Sequence, residues 1–596
     1  MSVELARYLL PAVALLPAGV AWSSGRRWLA ATLAVAAAGL VDYRLAALAA
    51  AALLTALVLR RGRSSAVVNR WGDRSRRKSG VASTLDVARI GSAHAMRRKA
   101  PVVRPSLAAL PLPRRARLAT TEVAVPLARV GGQRVWASVE DVVLTIGAPR
   151  TGKSVWLTGR IIDAPGACLV TSTRTDLHDL TAGLRAKRGP VYVFNAGGLG
   201  GIESSVTFDP LTGCADPVTA TQRATDMLGG VGGEGGEAAR WRELAEGALS
   251  LLMHAAALGG LSMRTVSEWV SDANLDGEAH REVTSLLRRS PEPGYVAAAE
   301  AYFNNNERTR TSITTTIGPA LRWLMSPTAT AAAEGGAPFD VARLLRQRAT
   351  IYVLGAKEAH TAPLLAALTG HIAREARHLA ARAPGGRLDP PLTLALDEAG
   401  LICPVPLPDW TSDMGGRGVT ILAAFQSRAQ MVNTWGPTGA AVILSNAAAL
   451  MVFGGGHDYD DLEHWSKLAG ERDEDVTTRD HGGRVTSRST RKVAVISAAQ
   501  LAHLPDWRVV IYRRGMLPVI ATVAHTWKRR DVRAQARADK RAQRASATTT
   551  THPYPGDVPG RPHAGDDTRP AGDRAGDWVT AQHADHQQGG AGDGCR

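Results

Sequence analysis

The segment Gly147-Ala148-Pro149-Arg150-Thr151-Gly152-Lys153-Ser154 decides the fold of this chain. It fits the pattern G-x-x-x-x-G-K-[ST] in full. The apolar residues 142–146 before it are predicted as a strand, and residues 154–160 are predicted as a helix. Glycines let the backbone wrap around phosphate oxygens, and the N-terminus of a helix presents free N–H groups and the positive end of its dipole. We therefore predict a phosphate-binding loop in an α/β domain.

Two residues of the loop have expected chemical roles. Lys153 should reach the β- and γ-phosphates of a nucleotide, and Ser154 should be a ligand of Mg²⁺. Residues 147–154 are therefore predicted to bind ATP together with Mg²⁺.

An acidic pair follows a second apolar stretch, residues 392–396. Asp397, at the end of a buried strand, can complete the Mg²⁺ shell in enzymes with a phosphate loop. Glu398 can act as a general base on the water that attacks the γ-phosphate. Because a complete phosphate loop precedes this pair, we predict an ATP hydrolase.

Two later residues are further catalytic candidates. Gln426 ends a strand that should lie beside the strand of Asp397, where its amide can contact the γ-phosphate or the attacking water. An ordinary solvated strand end is the alternative. Arg417 lies in the turn Gly415-Gly416-Arg417-Gly418 and could stabilise transition-state charge in a neighbouring subunit's site. A solvated turn arginine is the alternative.

Short apolar segments alternate with helical ones through the middle of the chain, which predicts parallel βαβ units. Helices between these apolar segments are predicted at 154–160, 177–187 and 363–381. The predicted strands are 142–146, 167–171, 191–195, 350–354, 392–396, 419–424, 450–453, 492–496, 507–513 and 517–524.

Between residues 210 and 349 the pattern changes to helices alone, which predicts an all-helical insert. We assign residues 126–215 and 340–526 to the ATPase domain and residues 216–339 to the insert. A basic helix is predicted at 527–548, where nucleic-acid binding and simple solvation remain open. Residues 549–596 are rich in Gly, Pro, Asp, His and Thr and are predicted to be disordered.

The first 60 residues are predicted to anchor the chain in a membrane. Residues 8–22 are apolar throughout, and a second apolar zone covers residues 28–59, which indicates two or three spanning helices. A cleaved signal peptide and a buried pair of soluble helices are the alternatives. The following segment, 61–125, is strongly basic, which places it and the ATPase domain in the cytoplasm by the positive-inside rule. The predicted location is the inner (cytoplasmic) membrane.

Composition narrows the class of protein. The 596 residues include 71 Lys and Arg against 54 Asp and Glu, a net charge of +17, which favours nucleic acid or an anionic membrane surface as a partner. The 4 cysteines have no paired spacing. A disulfide scaffold and a cysteine-based zinc site are therefore excluded.

Several motifs together resemble the coupling proteins of type IV secretion, the ATPases of conjugative DNA transfer (TraG/TraD type). Gly91-Ser92-Ala93 resembles the motif that follows the membrane anchor in that family, and residues 168–197 and 206–211 resemble its second strand–helix–strand unit and its Asn-Pro-Leu turn. The Walker B, arginine and glutamine motifs follow in their usual order: Asp397-Glu398-Ala399-Gly400, Gly416-Arg417-Gly418, and residues 425–430 with Trp435-Gly436. Residues 172–176 depart from the family pattern, which often has a Lys-Gly-Glu there.

This resemblance implies a RecA-like P-loop NTPase domain with an all-α insert, preceded by N-terminal transmembrane helices. It implies a homo-oligomer, a hexameric ring that hydrolyses ATP at its subunit interfaces. It also implies partners: a relaxase, single-stranded DNA in preference to duplex, the components of a type IV secretion channel and the lipid bilayer. The chain would then pump single-stranded DNA during conjugation.

Two other functions remain open from the sequence. One is a membrane-bound translocase of double-stranded DNA of the septal-pump type. Such proteins typically end in a winged-helix DNA reader, for which the residues after Thr548 leave no room. The other is a coupling ATPase whose cargo is protein.

Overall fold

The computed structural model describes residues 80–229, 236–272, 277–334, 339–356, 360–479 and 485–549. The predicted membrane anchor at 1–60 and almost all of the predicted disordered tail lie outside these residues. Within them, no helix combines the length and the apolar character that crossing a bilayer requires. The chain divides after Ala536 into two compact units. The described part of the second unit is the C-terminal part of the helix Arg530–Thr549.

The described strands are numbered along the chain. They are β1 Ala124–Val130, β2 Gln133–Ser138, β3 Val143–Ile146, β4 Cys168–Ser172, β5 Val191–Asn195, β6 Thr350–Leu354, β7 Leu392–Leu396, β8 Val419–Phe425, β9 Ala449–Phe453, β10 Glu471–Arg479, β11 Val485–Ala494, β12 Arg508–Arg513 and β13 Met516–Thr522.

Eleven strands of the described chain form one mixed sheet in the order β2-β1-β13-β12-β9-β3-β8-β7-β4-β6-β5. From β9 to β5 neighbouring strands are parallel, as predicted, whereas β12, β13, β1 and β2 add to β9 in antiparallel pairs. β10 and β11 pair only with each other in a separate antiparallel ribbon. The predicted strand 492–496 is confirmed for residues 492–494, which end β11 in this ribbon.

The parallel strands are buried on both faces, which explains their continuous apolar sequences. Successive side chains of a strand point to opposite faces. Val143 accordingly packs in one apolar cluster with Trp156 and Leu157, and Leu144 packs in the other cluster with Leu364. The sheet therefore forms the middle layer between helices.

The described α-helices are α1 Thr84–Ile90, α2 Ala93–Arg98, α3 Ala100–Val103, α4 Leu112–Ala116, α5 Lys153–Asp163, α6 Asp176–Arg185, α7 Pro217–Leu228, α8 Gly236–Gly259, α9 Met263–Asp272, α10 Glu278–Leu287, α11 Gly294–Phe303, α12 Glu307–Leu321, α13 Pro327–Ala333, α14 Val341–Arg346, α15 Ala362–Arg382, α16 Ala399–Ile402, α17 Leu407–Asp413, α18 Arg428–Asn446, α19 Tyr459–Ala469, α20 Ala498–Ala502 and α21 Arg530–Thr549.

The described elements between β5 and β6 are helical, and most of them lie within residues 216–339, the region assigned to the insert. A buried ion pair joins this region to α15, a helix of the ATPase domain. Arg374 of α15 donates to both carboxylate oxygens of Asp226 in α7. Asp226 also leaves no space for a side chain on Gly370, since a Cβ there would lie 2.1 Å from its Oδ2.

Residues 80–123, predicted only as part of a basic segment, fold against the edge of the sheet. Met96, Ala100 and Val103 are buried there with Trp136 of β2. Arg104, also buried, donates from Nε to Asp389 over 2.8 Å and forms an ion pair with Glu122. Part of the positive charge of this segment is therefore neutralised by ion pairs within the domain.

Candidate nucleotide-binding site

The loops after β3, β7 and β8 lie along one edge of the sheet. β8 pairs with β3 on one side and with β7 on the other, and all three strands run parallel. The carboxyl ends of parallel strands meet at the same edge, which is where open α/β sheets bind ligands. The phosphate loop, Asp397 with Glu398, and Gln426 are thus brought together although they are distant in sequence.

Close packing explains the glycines of the phosphate loop. A Cβ on Gly147 would lie 2.6 Å from Cβ of Phe453. Gly152 has a φ of 108°, and a Cβ there would lie 2.9 Å from the ring of Trp507. Only glycine satisfies both requirements without displacing its neighbours. The loop passes directly into α5, and the first N–H groups of a helix have no partner within the helix.

Lys153 is the first residue of α5, and its side chain folds back over the loop. Nζ donates to the carbonyl of Ala148 over 2.7 Å and to that of Gly147. Burial lowers the pKa of Lys153 to about 8, and the nearby carboxylates of Asp397 and Glu398 oppose this effect. The bonds hold the ammonium group where it can contact the phosphates of a nucleotide bound in the loop.

Ser154 and Asp397 face each other across the loop. The Ser154 hydroxyl donates to Oδ2 of Asp397 over 3.2 Å. Burial, followed by the charge of Glu398, raises the pKa of Asp397 to about 7, so the carboxyl group is poorly compensated by its protein surroundings. A hydroxyl and a carboxylate converging beside a phosphate loop are oxygen ligands that suit Mg²⁺. The residues therefore fit the predicted magnesium site.

Glu398 is held by the residues that directly follow two other strands, β4 and β8. Gln426 donates from Nε2 to Oε1 over 3.2 Å, and Thr173 donates from Oγ1 to Oε2 over 3.0 Å. Gln426 is itself fixed, because its backbone N–H donates to Oε1 of Gln430 over 2.9 Å. Glu398 also adopts the left-handed backbone region, with a φ of 51°, which is uncommon for a residue other than glycine. Its carboxylate is thereby oriented at the end of β7.

Arg417 does not join this group within the subunit. It precedes β8, so it lies at the amino edge of the sheet, opposite the phosphate loop. Gly418 and the 7 residues of β8 separate it from Gln426, which corresponds to more than about 20 Å. Its Nε donates to the carboxylate of Asp413 over 2.9 and 3.1 Å. Arg417 could therefore act only in a site of another subunit.

Two residues of the site were missed in the sequence. Thr173 lies one residue beyond β4, which is the neighbour of β7, and its position after a buried strand was the available signal. Trp507 packs on Gly152 from a position far along the chain. No local pattern indicated that contact, because it depends on how β12 adds to the sheet.

Comparisons with known proteins point to one family. Residues 391–506 match the family model described as the TraM recognition site of TraD and TraG. This segment contains Asp397, Glu398, Arg417 and Gln426. Among curated proteins, none matches the sequence.

Solved structures of one coupling protein share the fold. The unbound monoclinic form of the bacterial conjugative coupling protein TrwBdeltaN70 has a TM-score of 0.53 and 16% identity, and the match covers 73% of this chain and 92% of that one. TrwB in complex with ADP and Mg²⁺ has a TM-score of 0.50 and 18% identity, with 65% and 85% covered. The complex of TrwB with the GTP analogue GDPNP has a TM-score of 0.50 and 17% identity, with 65% and 86% covered. The α/β fold and the resemblance to type IV secretion coupling proteins are confirmed.

Proposed function

We propose that this chain is a membrane-anchored ATPase that couples a relaxase–DNA substrate to a type IV secretion channel and pumps single-stranded DNA during conjugation. The observation that carries the proposal is the convergence of the phosphate loop, Asp397, Glu398 and Gln426 at one sheet edge in a fold shared with TrwB. Residues 1–60 supply the anchor, and the motor faces the cytoplasm.

The arrangement supports hydrolysis of a nucleoside triphosphate. Lys153 would contact the phosphates, and Ser154 with Asp397 would hold Mg²⁺, which would neutralise phosphate charge. Glu398 orients the attacking water and accepts its proton as the oxygen bonds to the γ-phosphorus and ADP leaves. Thr173 and Gln426 keep the Glu398 carboxylate in place for this step. TrwB, whose structures include complexes with nucleotides, has the same fold.

A ring explains the position of Arg417. Its guanidinium lies at the edge of the sheet opposite its own phosphate loop, and its side chain keeps 35% of its surface exposed. A neighbouring subunit packed against this edge would receive Arg417 at its bound nucleotide. Closed symmetric rings arise from repeated head-to-tail interfaces. We therefore assign Arg417 to catalysis in trans in a hexamer.

The proposed cargo fits the charge of the chain and the family match. A net charge of +17 suits a grip on phosphates that is independent of base sequence. Residues 391–506, which match a TraM recognition site, would contact an accessory protein of the DNA-processing complex. The helices between β5 and β6 would contact the relaxase–DNA complex.

The test is ATP hydrolysis by the full chain without DNA, with single-stranded DNA and with duplex DNA, at low and moderate salt. Stimulation by single-stranded DNA that weakens with salt is the expected result. Glu398→Gln should remove the activity, whereas Glu268→Gln, at an exposed position of α9, should leave it unchanged.

Each other outcome counts against part of the proposal. A preference for duplex DNA would favour a double-strand translocase. Hydrolysis that ignores DNA would favour protein cargo. Hydrolysis that persists unchanged in Glu398→Gln would contradict the assignment of this residue.

A further inference from the structure

Three aromatic side chains form a cluster beside the phosphate loop. The ring centroid of Trp507 lies 4.5 Å from that of His525 and 5.1 Å from that of Trp527, in edge-to-face arrangements. His525 and Trp527 stack at 4.9 Å with 29° between their planes. The cluster joins two chain segments, because the backbone N–H of Val523 donates to the carbonyl of Trp507 over 2.8 Å.

The sheet places this cluster at the edge that carries the nucleotide-binding site. Trp507 directly precedes β12, and Val509 of that strand pairs with Phe453 at the end of β9. His525 and Trp527 follow β13, whose last residue, Thr522, pairs with Arg508. All three aromatic residues therefore lie at the carboxyl ends of the parallel strands.

Direct contacts tie the cluster to the loop and to α5. The Trp507 ring limits the space at Gly152, the last glycine of the loop. Thr526, between the two other aromatic residues, donates from Oγ1 to the carbonyl of Val155 over 2.7 Å. Val155 lies in the first turn of α5, which faces the phosphates of a nucleotide bound in the loop.

The cluster has the chemistry to hold a flat heterocycle. Trp527 keeps 45% of its surface exposed although His525 stacks on it. Within the described residues, Nδ1 of His525 is buried and has no hydrogen-bond partner. Burial, together with the charge of Lys528, lowers the pKa of His525 and so favours the neutral form of its ring. An exposed aromatic face suits a nucleobase, because every base can stack through its own π-face.

We propose that Trp527, supported by His525 and Trp507, stacks on the base of the nucleotide whose phosphates bind at residues 147–154. This inference rests on the proposed function, since it assigns a base subsite to the same nucleotide site. Only a ribose separates a base from its α-phosphate, so a base can reach a cluster that packs on Gly152 through Trp507 and is linked to Val155 through the neighbouring Thr526. Every base offers a π-face, with purines presenting the larger surface. The subsite therefore prefers purine over pyrimidine nucleotides and discriminates weakly between adenine and guanine.

The same aromatic face could in principle hold a base of single-stranded DNA. The observations favour the free nucleotide because Trp507 and Thr526 touch the phosphate loop and its helix directly. An experiment can separate these ligands, since only one of them shares the loop.

The test is calorimetric titration of the purified full chain, in the presence of Mg²⁺, with a non-hydrolysable ATP analogue and with inorganic tripolyphosphate, which has no base. Trp527→Ala should weaken binding of the ATP analogue about tenfold while binding of tripolyphosphate stays unchanged. Trp527→Phe should retain most of the affinity because it keeps an aromatic face. Leu517→Ala is the matched control, since Leu517 is 50% exposed on β13, close to the opposite edge of the sheet.

Three outcomes would overturn the inference. Trp527→Ala could bind the ATP analogue as the unmodified chain does. It could lose a single-stranded oligonucleotide while keeping the analogue, which would assign the cluster to DNA. If the unmodified chain binds neither the analogue nor tripolyphosphate, the proposed function itself fails and the base subsite with it.

Discussion

Thr173 donates a hydrogen bond from Oγ1 to Oε2 of Glu398 over 3.0 Å. Because the other carboxylate oxygen is bound by Gln426, the carboxylate is fixed from two sides at the end of β7. A general base must be positioned within hydrogen-bond reach of the water it activates. We therefore expect the hydroxyl of Thr173 to position Glu398 for the proposed hydrolysis.

We predict that Thr173→Val lowers kcat for ATP hydrolysis about tenfold, the effect of losing a hydrogen bond to a charged group. The affinity for nucleotide should stay unchanged, because Thr173 does not touch the phosphate loop in the described contacts. Thr173→Ser keeps the hydroxyl and should restore most of the rate. Steady-state kinetics of both variants checks this, and equal rates for Thr173→Val and the unmodified chain would contradict it.

Lys153 and Glu398 should give opposite defects although they lie in one site. Lys153→Ala removes the ammonium group held over the loop and should weaken nucleotide binding. Glu398→Gln keeps the size of the side chain but removes the base, so binding should persist while turnover falls by about a hundredfold or more. Titration with a fluorescent ATP analogue, alongside phosphate release, separates the two effects. A loss of binding in Glu398→Gln would contradict the assigned role.

Much of the site could be predicted because its signals are local. The loop at 147–154 and the acidic pair at 397–398 each follow an apolar strand directly, and the parallel alternation places such strand ends at one edge. The hairpin of β1 and β2 was missed because Pro126, Arg129 and Arg134 interrupt its apolar pattern. The order of the strands, and with it the contact of Trp507 with Gly152, depends on pairing between segments that are distant in sequence.

The conformation of Gly152 makes a sharp test of the loop. Gly152→Ala places a Cβ at a φ of 108° and 2.9 Å from the Trp507 ring, so the loop or the ring must move. We expect nucleotide affinity to fall about tenfold or more, because strain at such a position costs on the order of 1–3 kcal/mol. Gly456→Ala is the matched control, since a Cβ there meets nothing within 4 Å. Similar affinities for both variants would contradict the packing argument.

His371 should make the stability of the domain depend on pH. It stacks on Phe208 at 5.4 Å and lies 3.4 Å from a guanidinium nitrogen of Arg223. Burial, followed by the charges of Arg223 and Arg374, lowers the pKa of His371 to about 3, whereas a histidine in the unfolded chain has a pKa of about 6.5. As the pH falls, the unfolded chain therefore protonates this histidine before the folded chain does. The contribution of neutral His371 to the stability of the folded state is complete above about pH 6.5 and is lost as the pH falls from there toward 3.

The measurement is the midpoint of thermal unfolding between pH 7.5 and 5. As the pH is lowered, we expect the midpoint to fall less steeply in His371→Gln than in the unmodified chain. The difference in slope corresponds to up to about 1.4 kcal/mol of unfolding free energy per pH unit. His503→Gln, at an exposed position, should leave the slope unchanged. Identical slopes in all three proteins would show that His371 does not titrate in this way.

Arg417 provides the test of the ring. Its place at the edge opposite the phosphate loop predicts that Arg417→Ala abolishes turnover while each subunit still binds nucleotide. Lys153→Ala disables the site of its own subunit but still supplies Arg417 to the neighbour. In mixed rings with equal amounts of the two variants, about a quarter of the interfaces combine an intact Lys153 with an intact Arg417, so activity should reappear. Mixtures of Glu398→Gln with Lys153→Ala should stay inactive, because both residues serve the same subunit's site. Rescue in the second mixture, or none in the first, would contradict catalysis by Arg417 in trans.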